Sequence, residues 1–260
     1  MSSSPEVVVH ANGDLLAAAT AARLVTKLVD AQSSRGSASL VLTGGRTGNA
    51  VLEHLRESPA RDAVDWSRVD LYWGDERFLP AGDPERNETQ NREALLDHVP
   101  VDPARVHAMA PSDGEFGDDP EAAAAAYERM LAEATRPEDH GLVPTFDVCL
   151  LGVGEEGHTA SIFPESPAVY EEDQMVVPVR NCPKPPPTRL SLTLTAIRSA
   201  NEVWLMTTGE AKLAAVAMAL GGAGEVQVPA AGARGRRRTL WLLDRAAAAK
   251  APKQFLPPIA

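Results

Sequence analysis

The residue best suited to proton transfer is His158. It closes the first part of the run Phe146–Ser166, FDVCLLGVGEEGHTASIFPES, where apolar residues 148–151 lead into glycines at 152, 154 and 157. A histidine takes up and releases protons near neutral pH, which suits it to general-base work. Glu156 stands two residues earlier and is placed to orient or polarise the imidazole, as carboxylates do in other acid–base pairs. The glycines also spell G-x-G-x-x-G, the dinucleotide fingerprint. That motif must open a helix of normal length and be followed, about 20 residues on, by an acid at the next strand's end. Pro164 and Pro167 cut any helix here to about two turns. Glu171 and Glu172 fall before the next predicted strand, not at its end. The run therefore reads as a platform for the histidine rather than a cofactor cradle.

Three further stretches carry groups that suit an anion. LVLTGGRTGN, residues 40–49, is a buried strand followed by Gly44, Gly45, Arg46 and Thr47 and a helix opening near Gly48. Successive backbone N–H groups and a helix amino end make an anion cradle, or the turn holds no ligand at all. The G-K-[ST] ending of a Walker A loop is missing. LYWGDERFLPAGDPERN, residues 71–87, ends a strand in Asp75, Glu76 and Arg77. Asp75 and Arg77 are candidates for substrate contact, the guanidinium fork for phosphate; the alternative is a solvated charged loop. In NCPKPPPTRLSLTLTAI, residues 181–197, Lys184 sits between prolines that restrict the backbone. They either hold its ammonium at a fixed place or form a rigid, exposed linker.

The elements that must position these groups alternate. Strands are expected at Glu6–His10, Ser39–Thr43, Arg68–Trp73, Arg105–Ala108, Phe146–Leu151, Met175–Val179, Glu202–Thr207 and Thr239–Leu243. Helices are expected at Leu15–Gln32 (capped by Asp14, with Leu16, Leu24 and Leu28 on one face), Gly48–Glu57, Glu88–Leu96, Pro120–Ala134 and Glu210–Leu220. This alternation implies an α/β fold: a single doubly wound, mainly parallel sheet with helices on both faces, in one domain over residues 1–260. In such sheets ligands bind outside the carboxyl ends of the strands, where all these stretches lie.

Composition bounds the partners. With 25 Lys and Arg against 36 Asp and Glu the net charge is −11, which argues against nucleic acid or an anionic membrane as a general partner. The basic cluster RGRRR, residues 234–238, lacks interleaved aromatics and reads as a short loop between strands. No stretch approaches the ~20 apolar residues of a membrane span, and the start MSSSPEVVVH lacks the regions of a signal peptide. Cys149 and Cys182 form no metal motif, and a disulfide framework is not expected, so a reducing cytoplasm is the simpler setting.

LTGGRTG, WGDERFLP, LLGVGEEGHTASIFP and CPKPPPTRLSLTL, taken in this order with the ending VPAAG…TLWLLDRAAA, resemble the signature segments of the 6-phosphogluconolactonase family over nearly the whole chain. The Gly-His-Thr-Ala-Ser-x-Phe-Pro segment joined to Lys-Pro-Pro-Pro is the most specific part. The resemblance implies the fold shared with glucosamine-6-phosphate deaminases, ribose-5-phosphate isomerases and sugar-sensing regulators. It implies hydrolysis of a small sugar-phosphate lactone, 6-phosphogluconolactone, in the pentose phosphate pathway. No cofactor or metal is required, and a monomer or weak homo-oligomer is expected. His158 would be the base, Glu156 its support, and Gly44, Gly45, Arg46, Thr47, Asp75, Arg77 and Lys184 would hold the substrate. Two positions depart from the family's usual pattern: Thr47-Gly48 stands where Thr-Pro is common, and Glu156 where the histidine loop often has Asp. The deaminase rival usually carries Gly-His-Ile-Ala-Phe-Asn-Glu-Pro; residues 159–164, TASIFP, lack its Asn-Glu pair. The sensor rival usually places a DNA-binding segment of about 60 residues ahead of the sugar domain, and the first predicted strand here begins near Glu6.

Overall fold

The computed structural model describes residues 4–139 and 141–256. The strands are β1 (Glu6–His10), β2 (Ala38–Leu42), β3 (Val69–Trp73), β4 (Asp75–Arg77), β5 (Val148–Gly152), β6 (Val176–Val179), β7 (Arg189–Leu192), β8 (Glu202–Thr207) and β9 (Arg238–Asp244). The α-helices are α1 (Gly13–Arg35), α2 (Gly45–Glu57), α3 (Asn87–Ala94), α4 (Pro120–Glu133), α5 (Leu194–Ile197), α6 (Leu213–Leu220), α7 (Pro229–Gly232) and α8 (Arg245–Ala248).

Six strands form one parallel sheet in the order β1-β9-β8-β5-β2-β3. Both of its faces are covered, so its strands are apolar at consecutive positions instead of alternating. Leu40 and Leu42 of β2 point to one side and pack with Leu16, Leu24, Leu28, Leu52 and Leu55 of α1 and α2. Val41 points to the other and joins Tyr127 and Leu131 of α4 with Val216 of α6. Each leucine so buried contributes roughly 1.5–3 kcal/mol of transfer free energy. α1 begins where the Asn12 side chain accepts the Leu15 N–H at 2.9 Å. Asn12, not Asp14, is therefore the cap; Asp14 lies in the first turn, 2.9 Å from His54.

The winding reverses between β2 and β5, which are neighbours. From β2 the chain moves outward to β3 at one edge; from β5 it moves through β8 and β9 towards β1. Such a switch point leaves a crevice at the carboxyl ends of the strands.

The expectation of a single sheet needs correction. A second, antiparallel sheet, β4-β7-β6, stands beside the first. Val176–Val179, from the strand expected at Met175–Val179, belong to it, and β4 and β7, both unforeseen, build the rest. Gly74 joins β3 to β4, and its carbonyl accepts the Leu192 N–H at 2.9 Å, tying the two sheets together. The strand expected at Arg105–Ala108 is also absent. Asp102 and Pro103 start a 3₁₀ turn over Pro103–Arg105, and Val106 makes only an isolated bridge with Leu71. Just beyond, the Met109 carbonyl accepts from the Arg86 guanidinium at 2.8 Å, so a side chain takes the place of a strand partner. α2 begins at Gly45, earlier than expected, and residues 210–212 form a 3₁₀ turn ahead of α6. No helix among the described residues is long and apolar enough to cross a membrane.

Candidate active site

A cleft of about 160 Å³ opens at the carboxyl ends of β2, β3 and β5, astride the switch point. Gly44 and Gly45 enter it from the loop after β2, Asp75 and Arg77 from β4, and Gly154 and His158 from the loop after β5.

The His158 loop is a tight turn. The Gly154 N–H donates to the His158 carbonyl at 2.8 Å, and the Gly157 N–H to the Gly154 carbonyl at 3.1 Å. The Thr159 hydroxyl donates back to the Gly152 carbonyl at 2.9 Å. The imidazole folds over the backbone of Gly154: a β-carbon there would lie 1.9 Å from His158 Nδ1. Glycine at 154 thus makes room for the imidazole, not for a dinucleotide. Phe163 supports the ring from one side, with centroids 4.5 Å apart.

Glu156 reaches the histidine. Its Oε1 lies 3.0 Å from Nδ1, but off the line a hydrogen bond needs, so buried Nδ1 has electrostatic contact without a directed bond. Its Oε2 accepts from Lys184 Nζ at 3.0 Å. Burial lowers the His158 pKa below the usual 6.5; Glu156 opposes this shift and the Lys184 charge reinforces it. The imidazole is therefore mainly neutral at pH 7, and Nε2 is the ring nitrogen not turned to Glu156. Glu156 itself feels burial pushing its carboxyl up, but backbone and Lys184 hydrogen bonds and the His158 and Lys184 charges hold it below the ordinary carboxylate range.

Opposite the histidine stands a buried polar wall. Asp75 accepts from the Ser161 hydroxyl at 2.6 Å and from Asn87 Nδ2 at 3.3 Å. A β-carbon on Gly44 would lie 1.8 Å from Asn87 Oδ1, so the glycine loop can approach this wall only as glycine. Below it, Glu76 accepts backbone N–H groups from Arg77, Asn87 and Glu88 and so caps α3. Burial pushes its carboxyl up to about 7, against the pull of Arg86 and those N–H groups. Arg77 donates to the Glu85 carbonyl at 2.7 Å, while its Nε is buried without a partner.

The structure redistributes the expected cations. Lys184 does not line the cleft, being paired with Glu156; Arg46 is exposed, and Thr47 lies 3.4 Å from the Thr208 hydroxyl, outside the lining. Two residues that sequence reading missed do line it, Arg189 of β7 and Lys212 after β8. Arg189 is 4% exposed and donates to the carbonyls of Lys184, Pro185 and Pro186, so the proline-rich loop is anchored by this guanidinium. Burial depresses the Lys212 pKa, and the nearby Lys184 and Arg46 charges add to this against Glu155 and Glu156. Lys212 was legible in principle, since TTGEAK follows a parallel strand's carboxyl end. Arg189 was not, because β7 is too short and polar to stand out as a strand.

The arrangement offers one neutral base beside a carboxylate, a helix amino end and three cations, Arg77, Arg189 and Lys212, around a small crevice. These suit proton transfer on a small phosphorylated substrate.

Comparison with known proteins agrees. The family model for glucosamine-6-phosphate isomerases and 6-phosphogluconolactonases matches residues 11–241. The 6-phosphogluconolactonase of Streptomyces coelicolor is 66% identical over 258 residues, 99% of each chain. That of Mycobacterium tuberculosis is 54% identical, over 97% of this chain and 100% of the other. The solved 6-phosphogluconolactonase of Trypanosoma brucei superposes with a TM-score of 0.81 at 29% identity, covering 95% of this chain and 99% of that one. A monomeric glucosamine-6-phosphate deaminase shares the fold, with a TM-score of 0.77 at 20% identity over 94% of this chain and 99% of the other.

Proposed function

The chain belongs to the glucosamine-6-phosphate isomerase/6-phosphogluconolactonase family, and from that premise we propose that it hydrolyses 6-phosphogluconolactone to 6-phosphogluconate in the oxidative pentose phosphate pathway. A cytoplasmic setting is part of this reading.

The observation that carries it is His158, at the carboxyl end of β5, with its pKa lowered and its Nδ1 3.0 Å from Glu156. Nδ1 faces Glu156, so Nε2 is the base. It takes a proton from water as the water oxygen attacks the lactone carbonyl carbon. The negative charge of the tetrahedral intermediate develops on the former carbonyl oxygen, where backbone N–H groups of the glycine loop stabilise it. The bond from that carbon to the ring oxygen then breaks, and the ring oxygen takes the proton from His158. The carboxylic acid so formed ionises in water. Glu156 steadies the imidazolium in between. Acid–base help of this kind is worth about 10²–10⁴ in rate.

The phosphate is held apart from the reacting carbon by Arg77, Arg189 and Lys212. This grip fixes the lactone relative to Nε2 and lowers the entropic barrier. Lys184, expected to grip the phosphate itself, acts in this reading through Glu156.

The test is turnover of the lactone at slightly acidic pH, where spontaneous opening is slow, by the wild type and by His158→Ala. Folded His158→Ala is expected at or near the uncatalysed background; near-wild-type turnover would remove His158 from the mechanism. No lactone turnover by the wild type would overturn the reading as a whole.

A further inference from the structure

Asn87, which closes the stretch 71–87, has no part in the hydrolysis set out above, yet it lines the active-site cleft. It is the first residue of α3 and is 1% exposed. Its donors are all engaged. The backbone N–H goes to Glu76 at 2.7 Å, and Nδ2 goes to the Asp75 carbonyl at 2.8 Å and to the Asp75 carboxylate at 3.3 Å. Its acceptor is not engaged: Oδ1 is buried and hydrogen-bonds to none of the described residues. An orphaned acceptor costs stability, so native proteins keep few of them. Turning the amide over would not cure it, since the oxygen would then face both oxygens of Asp75.

What Oδ1 meets is Gly44. A β-carbon there would lie 1.8 Å from Oδ1, 2.4 Å from Cγ and 3.1 Å from Cβ of Asn87. The backbone of Gly44 does not itself ask for glycine, because its φ of −88° and ψ of −165° are extended and open to any residue. Gly45 is different, with φ at +80°. The two glycines thus answer to separate demands: Gly45 makes the turn, and Gly44 makes room for Asn87.

One turn further along the same face of α3, Asn91 takes hold of the residue before these glycines. Its Nδ2 donates to the Thr43 carbonyl at 3.2 Å and to Asn49 Oδ1 at 3.0 Å, while its Oδ1 accepts from Trp73 Nε1 at 3.0 Å. α3 therefore meets the loop between β2 and α2 twice. Asn91 holds the loop in by a hydrogen bond, and Asn87 holds it off by contact. The first N–H groups of α2, which have no partner within the helix, lie on the loop so held.

We propose that Asn87 is a positioning residue for the hydrolysis: braced on Asp75, its amide is the stop that sets where the Gly44–Gly45 backbone stands, and so where the N–H groups of that loop meet the oxyanion. The inference rests on the lactone-hydrolysis reading above. An asparagine suits the place because one edge of a flat, rigid amide hydrogen-bonds Asp75 while the other edge bears on Gly44. Donors to an oxyanion count only when aimed at the position that the charge takes up in the transition state. A shifted loop should therefore be felt in kcat more than in KM, which Arg77, Arg189 and Lys212 govern through the phosphate.

The experiment is a size exchange across the contact, with kcat, KM and melting temperature measured for the wild type, Gly44→Ala, Asn87→Ala and the double variant. Gly44→Ala is expected to lose about a hundredfold in kcat with a smaller change in KM, as when an oxyanion donor is taken away. Asn87→Ala, which frees the loop to shift, should lose about tenfold in kcat. It also removes Oδ1 and Cγ, leaving only the 3.1 Å neighbour to the added methyl. The double variant should therefore regain about tenfold in kcat over Gly44→Ala, a coupling of the size that contacting residues show. Wild-type kcat in either single variant, losses in kcat that simply multiply, or a double variant that does not fold would overturn the proposal. Coupling present in the melting temperatures and absent from kcat would make the contact purely structural and overturn it too. Wild-type turnover of the lactone separates this inference from its premise: with turnover, losses that multiply remove Asn87 alone, and without turnover the hydrolysis reading falls first.

Discussion

Glu156 divides its carboxylate between two partners: Oε1 lies 3.0 Å from His158 Nδ1 and Oε2 accepts from Lys184 Nζ at 3.0 Å. The contact with the imidazole is electrostatic rather than a directed bond, because the angle is wrong. An aspartate at 156 would be one methylene shorter and could not span both partners from the same backbone position. The longer side chain thus couples the proline-rich loop to the base. Glu156 raises the His158 pKa against burial. Removing its charge in Glu156→Gln should lower kcat by about tenfold and move the acid limb of the kcat/KM profile to lower pH. In the wild type that limb should already have its midpoint below 6.5, since the imidazole must be neutral to act as base. A midpoint unchanged in Glu156→Gln would show that the carboxylate does not reach the base electrostatically.

Gly154 should be as sensitive as the histidine. Alanine there puts a carbon 1.9 Å from His158 Nδ1, which only displacement of the ring relieves. Misplacing a base forfeits most of its ~10²–10⁴ contribution. Gly154→Ala is therefore expected to lose at least a hundredfold in kcat, with a melting temperature within a few degrees of wild type. Full activity would mean that the loop relaxes without moving the ring.

The main sheet was legible because its strands are buried on both faces and read as apolar runs: Phe146–Leu151 and Glu202–Thr207 stand out in the sequence. His158 was legible because glycines and a strand end surround it. The second sheet was not. β4 is DER and β7 is RLSL, short and polar strands held by their pairing, β4 with β7 and β7 also with β6. Arg189 was hidden for the same reason. Lys184 was legible as a cation near the site, but its pairing with Glu156 was not, because sequence does not show which carboxylate a lysine meets.

The two lysines near the cleft should separate kinetically. Lys212 lines the crevice, whereas Lys184 faces Glu156. Lys212→Ala is expected to raise KM by about tenfold with a smaller change in kcat, since losing one charged hydrogen bond to substrate costs about 1.5–3 kcal/mol. Lys184→Ala should leave KM nearly unchanged. It should move the acid limb to higher pH, because the Lys184 charge lowers the His158 pKa. Steady-state kinetics across pH on both variants decides this, and a KM effect confined to Lys184→Ala would reverse the assignment.

Glu76 should write a pH dependence into the stability of the fold. Its folded pKa is about 7 against an ordinary 4.5. Between those values the folded chain holds a proton that the unfolded chain has lost, so this group's contribution falls as pH rises through the window and is constant above it. The full effect is on the order of 3 kcal/mol. Glu76→Gln cannot titrate. It keeps one oxygen for the N–H groups of Arg77 and Asn87, but turns an amide donor towards the Glu88 N–H, at a cost of about 1–3 kcal/mol. Urea unfolding at pH 5 and pH 8 should therefore show the variant less stable than wild type at pH 5, with the gap narrowed or reversed at pH 8. An equal gap at both values would mean that Glu76 stays ionised through the window, held by Arg86 and the amino end of α3.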